Sequence, residues 1–337
     1  MTTIGIGTEK GGFVLRDREG SWTVEGPLFA GWKVTTWART PEDHFLAAVA
    51  SNWFGPALHR SADLENWEQV PSGPEFGADG PKLNQIWTIR PHGNALLAGV
   101  DEAGLFRSHD DGMTWQPVSA LNEFPGRSDW FPGFGGLCAH HVLTDGERIW
   151  VGISAVGVFR SDDGGASFRR CDRGVSVVGG EEGDAFCVHG IVADPDDPDH
   201  IWRQDHSGVY VSTDGAESWE RIEDGLPSNF GFPIARDQKS GRVFVVPLAA
   251  DTNRLPVDGA LRAYHSEDGR TWQVSGTGWE ESATYTTVLR GAMDTDGEGG
   301  VFFGTTGGDV WATADSGDTW TKAPHSFPRI LSVRVLD

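Results

Sequence analysis

Short hydrophobic segments separated by polar turns run along the whole chain. The third group of segments reads "NQIWTIR", "ALLAGV", "GLFRS" and "WQPV", and the fifth reads "CVHGIVAD", "HIWRQD", "GVYVS" and "WERI". Segments of four to eight residues, rich in β-branched and aromatic side chains and bounded by Asp, Pro and Gly, are typical of antiparallel strands. The pattern therefore predicts units of four short strands each.

An acidic turn precedes the last segment of each unit. Its clearest copies are "SHDDGMTW" at 108–115, "SDDGGASF" at 161–168, "STDGAESW" at 212–219 and "TADSGDTW" at 313–320, and weaker copies lie at 16–22, 61–67 and 266–272. Seven copies at a period of roughly 50 residues indicate a repeat architecture. We expect the Ser and Asp side chains to bind backbone N–H groups and the closing aromatic ring to pack between units.

These features predict one all-β domain over 1–337, a seven-bladed β-propeller with four antiparallel strands per blade. The first unit lacks a leading strand, and an orphan strand, "RILSVRVL", ends the chain. We expect this C-terminal strand to complete blade one, formed by 1–30 and 329–337, because closure removes the exposed sheet edges. Blades two to seven then occupy 31–328.

The repeated turn, S-x-D-x-G-x-[ST]-W, resembles the Asp-box (BNR) repeat of sialidase-like propellers. The stretches "GTEKGGFVL", "KLNQIW" and "LPSNFGFPIA" resemble a bacterial glycosyl hydrolase or exo-sialidase-like group. This resemblance implies that the turns are scaffold and that the ligand site lies on the opposite face. It also implies an arginine triad and a tyrosine nucleophile in a true sialidase. The early arginine motif is absent, and of Tyr210, Tyr264 and Tyr285 only the last begins an inner strand, so we expect no sialidase activity.

Charge and composition restrict the partners. The formal net charge is -22 at pH 7, which repels nucleic acid and anionic membranes. No signal-peptide pattern and no apolar window of membrane-spanning length is visible. The three cysteines, Cys138, Cys171 and Cys187, form an odd and sparse set that fits a reducing compartment. We expect a cytoplasmic protein without nucleic-acid or membrane partners; the sequence does not indicate its oligomeric state.

The candidate site lies at the mouth of the central channel where the inner strands begin. Long connections at 73–84, 120–136 and 172–186 flank this mouth and predict either a lid or a partner surface. Four arginines are expected toward the other ends of the inner strands, near the acidic turns. They are Arg39, Arg90, Arg290 and Arg334.

Histidines converge on the same mouth. His140 and His189 occupy equivalent positions on neighbouring inner strands, whereas His206 and Glu102 lie in turns between second and third strands. The three histidines are either ligands of a divalent transition metal with an open coordination position, or metal-free acid–base groups assisted by Glu102, or structural residues lining the channel. Cys138 and Cys187 have the chemistry to be further ligands, but we expect them to act as small hydrophobes.

Other residues at this mouth are candidates for contacts with a small-molecule ligand. Trp87 has the chemistry to stack on a planar ligand or sugar, and Lys82 to pair with an anionic group. The full substrate-binding set is Trp87, Lys82, Asn84, Trp53 and Tyr285.

Two functions stay open. The leading hypothesis is a hydrolase- or lyase-like enzyme, with or without a metal, acting on a small polar, saccharide-like molecule. The alternative is a non-catalytic platform for protein interaction or complex assembly. An open His-lined pocket favours the enzyme, whereas sealed histidines and a rim with exposed apolar side chains favour a protein partner.

Overall fold

The computed structural model describes residues 2–18, 21–51, 53–132, 136–177, 186–250 and 252–337. These residues form strands and turns almost throughout. The exceptions are α1 (Ser119–Asn122) and two single 3₁₀ turns, Arg127–Asp129 and Val257–Gly259. Within the described ranges, no helix has the length and apolar character needed to cross a membrane.

The strands are short, as their separation by polar turns predicts. In chain order they are β1 (Thr2–Thr8), β2 (Gly11–Arg18), β3 (Ser21–Leu28), β4 (Lys33–Arg39), β5 (Phe45–Ser51), β6 (Gly55–Ser61), β7 (Glu68–Gln69), β8 (Gln85–His92), β9 (Ala95–Asp101), β10 (Gly104–Ser108), β11 (Gln116–Pro117), β12 (Ala139–Asp145), β13 (Arg148–Ile153), β14 (Gly157–Ser161), β15 (Arg169–Arg170), β16 (Val188–Ala193), β17 (Ile201–Asp205), β18 (Gly208–Ser212), β19 (Glu220–Arg221), β20 (Phe230–Arg236), β21 (Val243–Leu248), β22 (Tyr264–Ser266), β23 (Gln273–Val274), β24 (Val288–Thr295), β25 (Val301–Thr305), β26 (Asp309–Thr313), β27 (Thr321–Ser326) and β28 (Ile330–Val335).

Antiparallel four-stranded sheets dominate the fold. Strands β4 to β23 form five such sheets of consecutive strands, and the other eight strands form one sheet in the order β27-β26-β25-β24-β28-β1-β2-β3. In this larger sheet β28 pairs antiparallel with β1, and a single parallel bridge from Gly291 to Ser332 links β24 to β28. The orphan C-terminal strand therefore pairs with the first strand of the chain. The all-β architecture is consistent with a β-propeller.

The first strands of successive units contact one another in a closed circle, in the order β28, β4, β8, β12, β16, β20, β24 and β28 again. Because neighbouring strands in each sheet are antiparallel, the start of the first strand and the turn between the second and third strands lie at the same end of the circle. We call this end the loop face. It also holds the connections that lead into the inner strands. The opposite end, which holds the acidic turns, is the turn face.

Hydrogen bonds within each acidic turn explain its repetition. In the copy between β14 and β15, the Ser161 hydroxyl oxygen accepts the Gly165 N–H at 2.8 Å, and the Asp163 carboxylate accepts the Ser167 N–H at 2.9 Å. Gly165 has a φ of 90°, a conformation that favours glycine. The closing aromatic side chains then join neighbouring sheets. The Trp219 indole, for example, donates to the Cys171 carbonyl of the preceding sheet at 2.9 Å.

Candidate functional site

The two inner-strand histidines are sealed from solvent. His140 is 3% exposed and His189 is 0% exposed. The Trp87 ring packs edge-on against His140, with ring centroids 4.5 Å apart. Burial, followed by the Arg290 guanidinium, lowers the pKa of both imidazoles well below the usual value. Buried neutral imidazoles are poorly placed to exchange protons with a substrate arriving from solvent, so the geometry does not favour acid–base catalysis by this pair.

His189 is held in one tautomer. Its Nδ1 lies 2.6 Å from the Gly231 carbonyl oxygen, which only accepts hydrogen bonds, so Nδ1 carries the proton. The other ring nitrogen, Nε2, is then the one with a lone pair. It is buried and makes no hydrogen bond with any described residue. A metal-ligating histidine is usually oriented in this way, by donation from its second nitrogen to a carbonyl.

Cys187 and His206 form a group with His189. Both are half-buried, and the His206 backbone N–H donates to the Cys187 carbonyl at 2.9 Å. One donor atom from each of Cys187, His189 and His206 lies within 4.8 Å of the others. His140 lies outside this group, and Cys187, expected from the sequence to be a small hydrophobe, lies within it. A thiolate and two imidazoles suit Zn²⁺ with one open position.

Arg290 lies at the loop-face end of the channel, although it was expected near the acidic turns. Its guanidinium is 4.6 Å from the Phe232 ring centroid and forms a hydrogen bond with the Cys187 side chain. β24 begins at Val288 and not at Tyr285, where this inner strand was expected to begin, so Arg290 is the third residue of the strand and lies near its start. The expectation for this residue was therefore wrong.

Two carboxylates sit together at the end of β9. Burial, and then the neighbouring Glu102 charge, raises the pKa of Asp101, whose carboxylate accepts hydrogen bonds from the Asn84 and Cys138 side chains. Glu102 is half-buried, and its backbone carbonyl accepts a hydrogen bond from Arg127 at 2.7 Å. Asp101 was not identified from the sequence, because its environment depends on Cys138 of the next sheet.

The proposed substrate-binding residues do not share one pocket. Lys82 and Asn84 line a shallow cleft of about 360 Å³ between the sheets that begin with β4 and β8. Trp87 is half-buried and contacts His140 rather than open space. Trp53 is 90% exposed and Tyr285 is 72% exposed.

Exposed aromatic side chains are instead distributed along the loop face. Trp53 and Phe54 occupy the turn between β5 and β6, Phe131 precedes β12, and Tyr285 precedes β24; they are 72% to 90% exposed. We call these four residues the aromatic rim. The Phe54 ring stacks on the Trp32 ring, with centroids 5.8 Å apart and planes inclined by 12°. Parts of two long connections predicted to border this face, 133–135 and 178–185, lie outside the described residues.

A second candidate metal group lies at the turn face. It consists of Glu42, His44 and Asp111. Arg60 already donates to the Asp111 carboxylate at 2.7 Å and lies 2.9 Å from His44 Nδ1. Because a fixed guanidinium already neutralises the carboxylate, this group is better explained as an ion-pair network.

Comparison with solved structures identifies the fold. YCF48 from Cyanidioschyzon merolae is 13% identical, with 88% of this chain and 87% of that chain covered and a TM-score of 0.59. YCF48 bound to D1 peptide is 12% identical, with 89% of each chain covered and a TM-score of 0.54. An ancestral GH74 enzyme is 15% identical, with 86% of this chain but 38% of the enzyme covered and a TM-score of 0.54. These neighbours are propellers, and the fold of this chain is a β-propeller.

Sequence comparisons add no closer relationship. No protein-family model matches the chain, and no curated protein matches it. The structural neighbours include an enzyme as well as YCF48, so function has to be argued from the chain's own residues.

Proposed function

We propose that this chain is a non-catalytic, seven-bladed β-propeller that binds a protein partner on its loop face. The aromatic rim carries the proposal, because large exposed aromatic side chains on one face are typical of interaction sites. Burial of His140 and His189 supports it, since the pocket expected for an enzyme does not open to solvent around them. The rim residues become the anchors that fill pockets on the partner.

The blade count in this proposal rests on the eight-stranded sheet. Its β24–β27 half and its β28–β3 half are each antiparallel, and one parallel bridge joins them. Counting the halves as two blades, together with the five four-stranded sheets, gives the seven units that the repeated turn predicts. In this interpretation β24 and β28 are the inner strands of two neighbouring blades, and the single bridge between them is a contact between blades.

Charge defines the partner more closely. The net charge of -22 attracts basic segments over distances longer than a contact. The partner we propose is therefore a protein segment with apolar side chains flanked by lysine or arginine. YCF48, matched over nearly the whole of both chains, has a structure bound to D1 peptide, whereas most of the GH74 enzyme has no counterpart here.

The compartment is part of the same proposal. None of the three cysteines forms a disulfide, which agrees with a reducing cytoplasm. The partner is then another cytoplasmic protein.

Removal of the rim tests this function. The variant Trp53→Ser/Phe54→Ser/Tyr285→Ser and the control Val274→Ser, which alters an exposed apolar residue on β23, are immobilised beside the wild type. Extracts of the cells that express the chain are passed over each, and retained proteins are quantified by mass spectrometry. A purified retained protein should bind the wild type and the control at least about tenfold more tightly than the rim variant. Equal binding to all three would contradict the proposal.

A metal-dependent enzyme is the second candidate, and the Cys187–His189–His206 group favours it. One ring nitrogen of His189 lies beside a thiol and a second imidazole, its Nε2 makes no hydrogen bond with any described residue, and a fourth position would take water or substrate. In this candidate Glu102 and the half-buried Asp101 are the acid–base groups. Lys82, Asn84, Trp87, Trp53 and Tyr285 would then contact a small polar, saccharide-like substrate.

Cobalt substitution distinguishes this candidate from the first. Co²⁺ added to reduced protein should produce a thiolate-to-cobalt absorption band at one equivalent. The band should disappear in Cys187→Ser and in His206→Ala, and persist in Cys171→Ser, whose thiol lies outside the group. If the wild type gives no band, or if Cys187→Ser keeps it, the metal centre does not exist.

A further inference from the structure

The channel holds a cavity at the turn face. It has a volume of about 460 Å³ and is lined by the far ends of the inner strands β8, β12, β16, β20, β24 and β28. Its charged and imidazole-bearing lining residues are Arg90, His141, Arg236, Asp294, Asp296 and Arg334. Neither the rim nor the Cys187–His189–His206 group borders it. Its size suits a metabolite-sized molecule.

Two guanidinium groups in this cavity form no carboxylate ion pair within the described part of the chain. Arg334 is 5% exposed, and its Nη1 donates to the backbone carbonyls of Gly291 and Val333. Among the described residues it forms no carboxylate ion pair. Arg90 is half-buried and makes no hydrogen bond or ion pair with any described residue. An arginine removed from water without a partner is unfavourable unless a ligand supplies the missing acceptors.

The acidic residues of the cavity already serve the backbone. The Asp294 carboxylate accepts the Val335 N–H at 3.0 Å, and Asp296 accepts the N–H groups of Glu298 and Gly300, each at 2.8 Å. The third arginine, Arg236, pairs with Asp194 at 2.7 Å. Arg90 and Arg334 are therefore the two arginines of the cavity lining that form no carboxylate ion pair with any described residue.

The pKa shifts of two lining residues agree with an excess of positive charge in the cavity. Burial, followed by the Arg90 charge, lowers the pKa of Arg334 to about 10, although Asp294 acts in the other direction. Burial, and then the charges of Arg334, Arg90 and Arg290, lowers the pKa of His141 to about 3. The cavity is thus locally positive within a protein whose net charge is -22.

We propose that the turn-face cavity binds a small organic anion, whose carboxylate or phosphate oxygens lie between the guanidinium groups of Arg90 and Arg334. Guanidinium groups suit this task because their parallel N–H donors match the oxygen spacing of both anions. The acidic outer surface excludes long polyanions, so the ligand is a small molecule that enters the channel rather than a nucleic acid.

Titration calorimetry at low ionic strength tests the site, with inorganic phosphate and citrate as the two probes. At least one should bind the wild type at a stoichiometry near one. Arg90→Gln should weaken that binding about tenfold or more, because a charge-assisted hydrogen bond is lost. Binding of phosphate alone would assign a phosphorylated ligand, and binding of citrate alone a carboxylate.

Two further variants make the result decisive. Arg39→Gln is the matched control, because Arg39 ends β4 on the same face but pairs with Asp43 outside the cavity. Arg334→Lys keeps a charge at the buried position and should also weaken binding, since the paired donors are lost. If neither probe binds the folded wild type, or if Arg90→Gln binds as tightly as Arg39→Gln, the proposal is wrong.

Discussion

Hydrogen bonds within the acidic turns lower the pKa of the aspartate carboxylates. The pKa of Asp163 falls from 3.8 to about 2, first because the Ser167 hydroxyl donates to it and then because backbone N–H groups do. Asp63 and Asp268 show the same direction of shift for the same kind of reason. These aspartates therefore act as charged groups that hold the turns together through hydrogen bonds.

The lowered pKa values of the turn aspartates predict that the fold loses stability in acid. A lowered folded-state pKa adds stability at pH values above the unfolded value, and that stability disappears as the pH falls through the folded value. The free energy of unfolding, measured with urea at a series of pH values, should therefore decrease between about pH 4 and pH 2. Asp163→Asn should flatten this dependence, whereas Asn at the exposed Asp79 should not. An unchanged slope in Asp163→Asn would contradict the account.

The sequence located individual site residues only in part. His189 and His206 do lie together, because they belong to the same sheet and their relative position follows from strand counting. The burial of His140 could not be predicted, since it depends on Trp87 packing across from the neighbouring sheet. Cys187 was expected to be a small hydrophobe rather than a ligand, because a half-buried cysteine without a spacing signal is usually one.

At the level of elements, a buried ion network couples β17 to the end of the preceding sheet. Arg203 and Asp205 are both 0% exposed, and the Arg203 guanidinium also donates to Asp172 at 2.5 Å. Asp172 in turn accepts the Val158 N–H at 3.1 Å. The network therefore fixes the position of one sheet relative to the next.

Removal of Arg203 should be severely destabilising. Arg203→Met leaves Asp205 buried without its counter-ion, and breaking such a pair costs about 3–5 kcal/mol of unfolding free energy. The control Arg221→Ala breaks the half-exposed pair with Glu223, which should cost at most about 1 kcal/mol. Chemical denaturation of both variants measures the difference. A loss in Arg203→Met no larger than that in the control would show that the network is not structural.

Strand positions were the most predictable feature of the elements. The segments "ALLAGV" and "GLFRS" correspond to β9 and β10, because their apolar residues end at polar turns. Strand boundaries were less predictable. β24 begins at Val288 and not at Tyr285, which places Arg290 near the loop-face end of the channel, and nothing in the polar residues at 284–287 marks that later start.

For the whole molecule, the two faces differ in chemistry. The loop face exposes aromatic side chains, and the turn face opens onto a cavity in which Arg90 and Arg334 form no ion pair with any described residue. The repeat predicted the propeller, but it could not predict this division, because the rim and the cavity lining come from non-repeated residues in different units. We therefore assign function to the non-repeated residues of the rim and the cavity lining.

The central claim is that the loop face contacts a protein partner, and site-specific photo-crosslinking tests it most directly. A photoreactive phenylalanine derivative is placed at Tyr285 on the rim and, in a separate protein, at Val274 on β23. Illumination in the native cells should join a defined partner to the chain from the Tyr285 position and not from the Val274 position. Crosslinks only to a second copy of this chain, equal crosslinking from both positions, or none from Tyr285 would contradict the account.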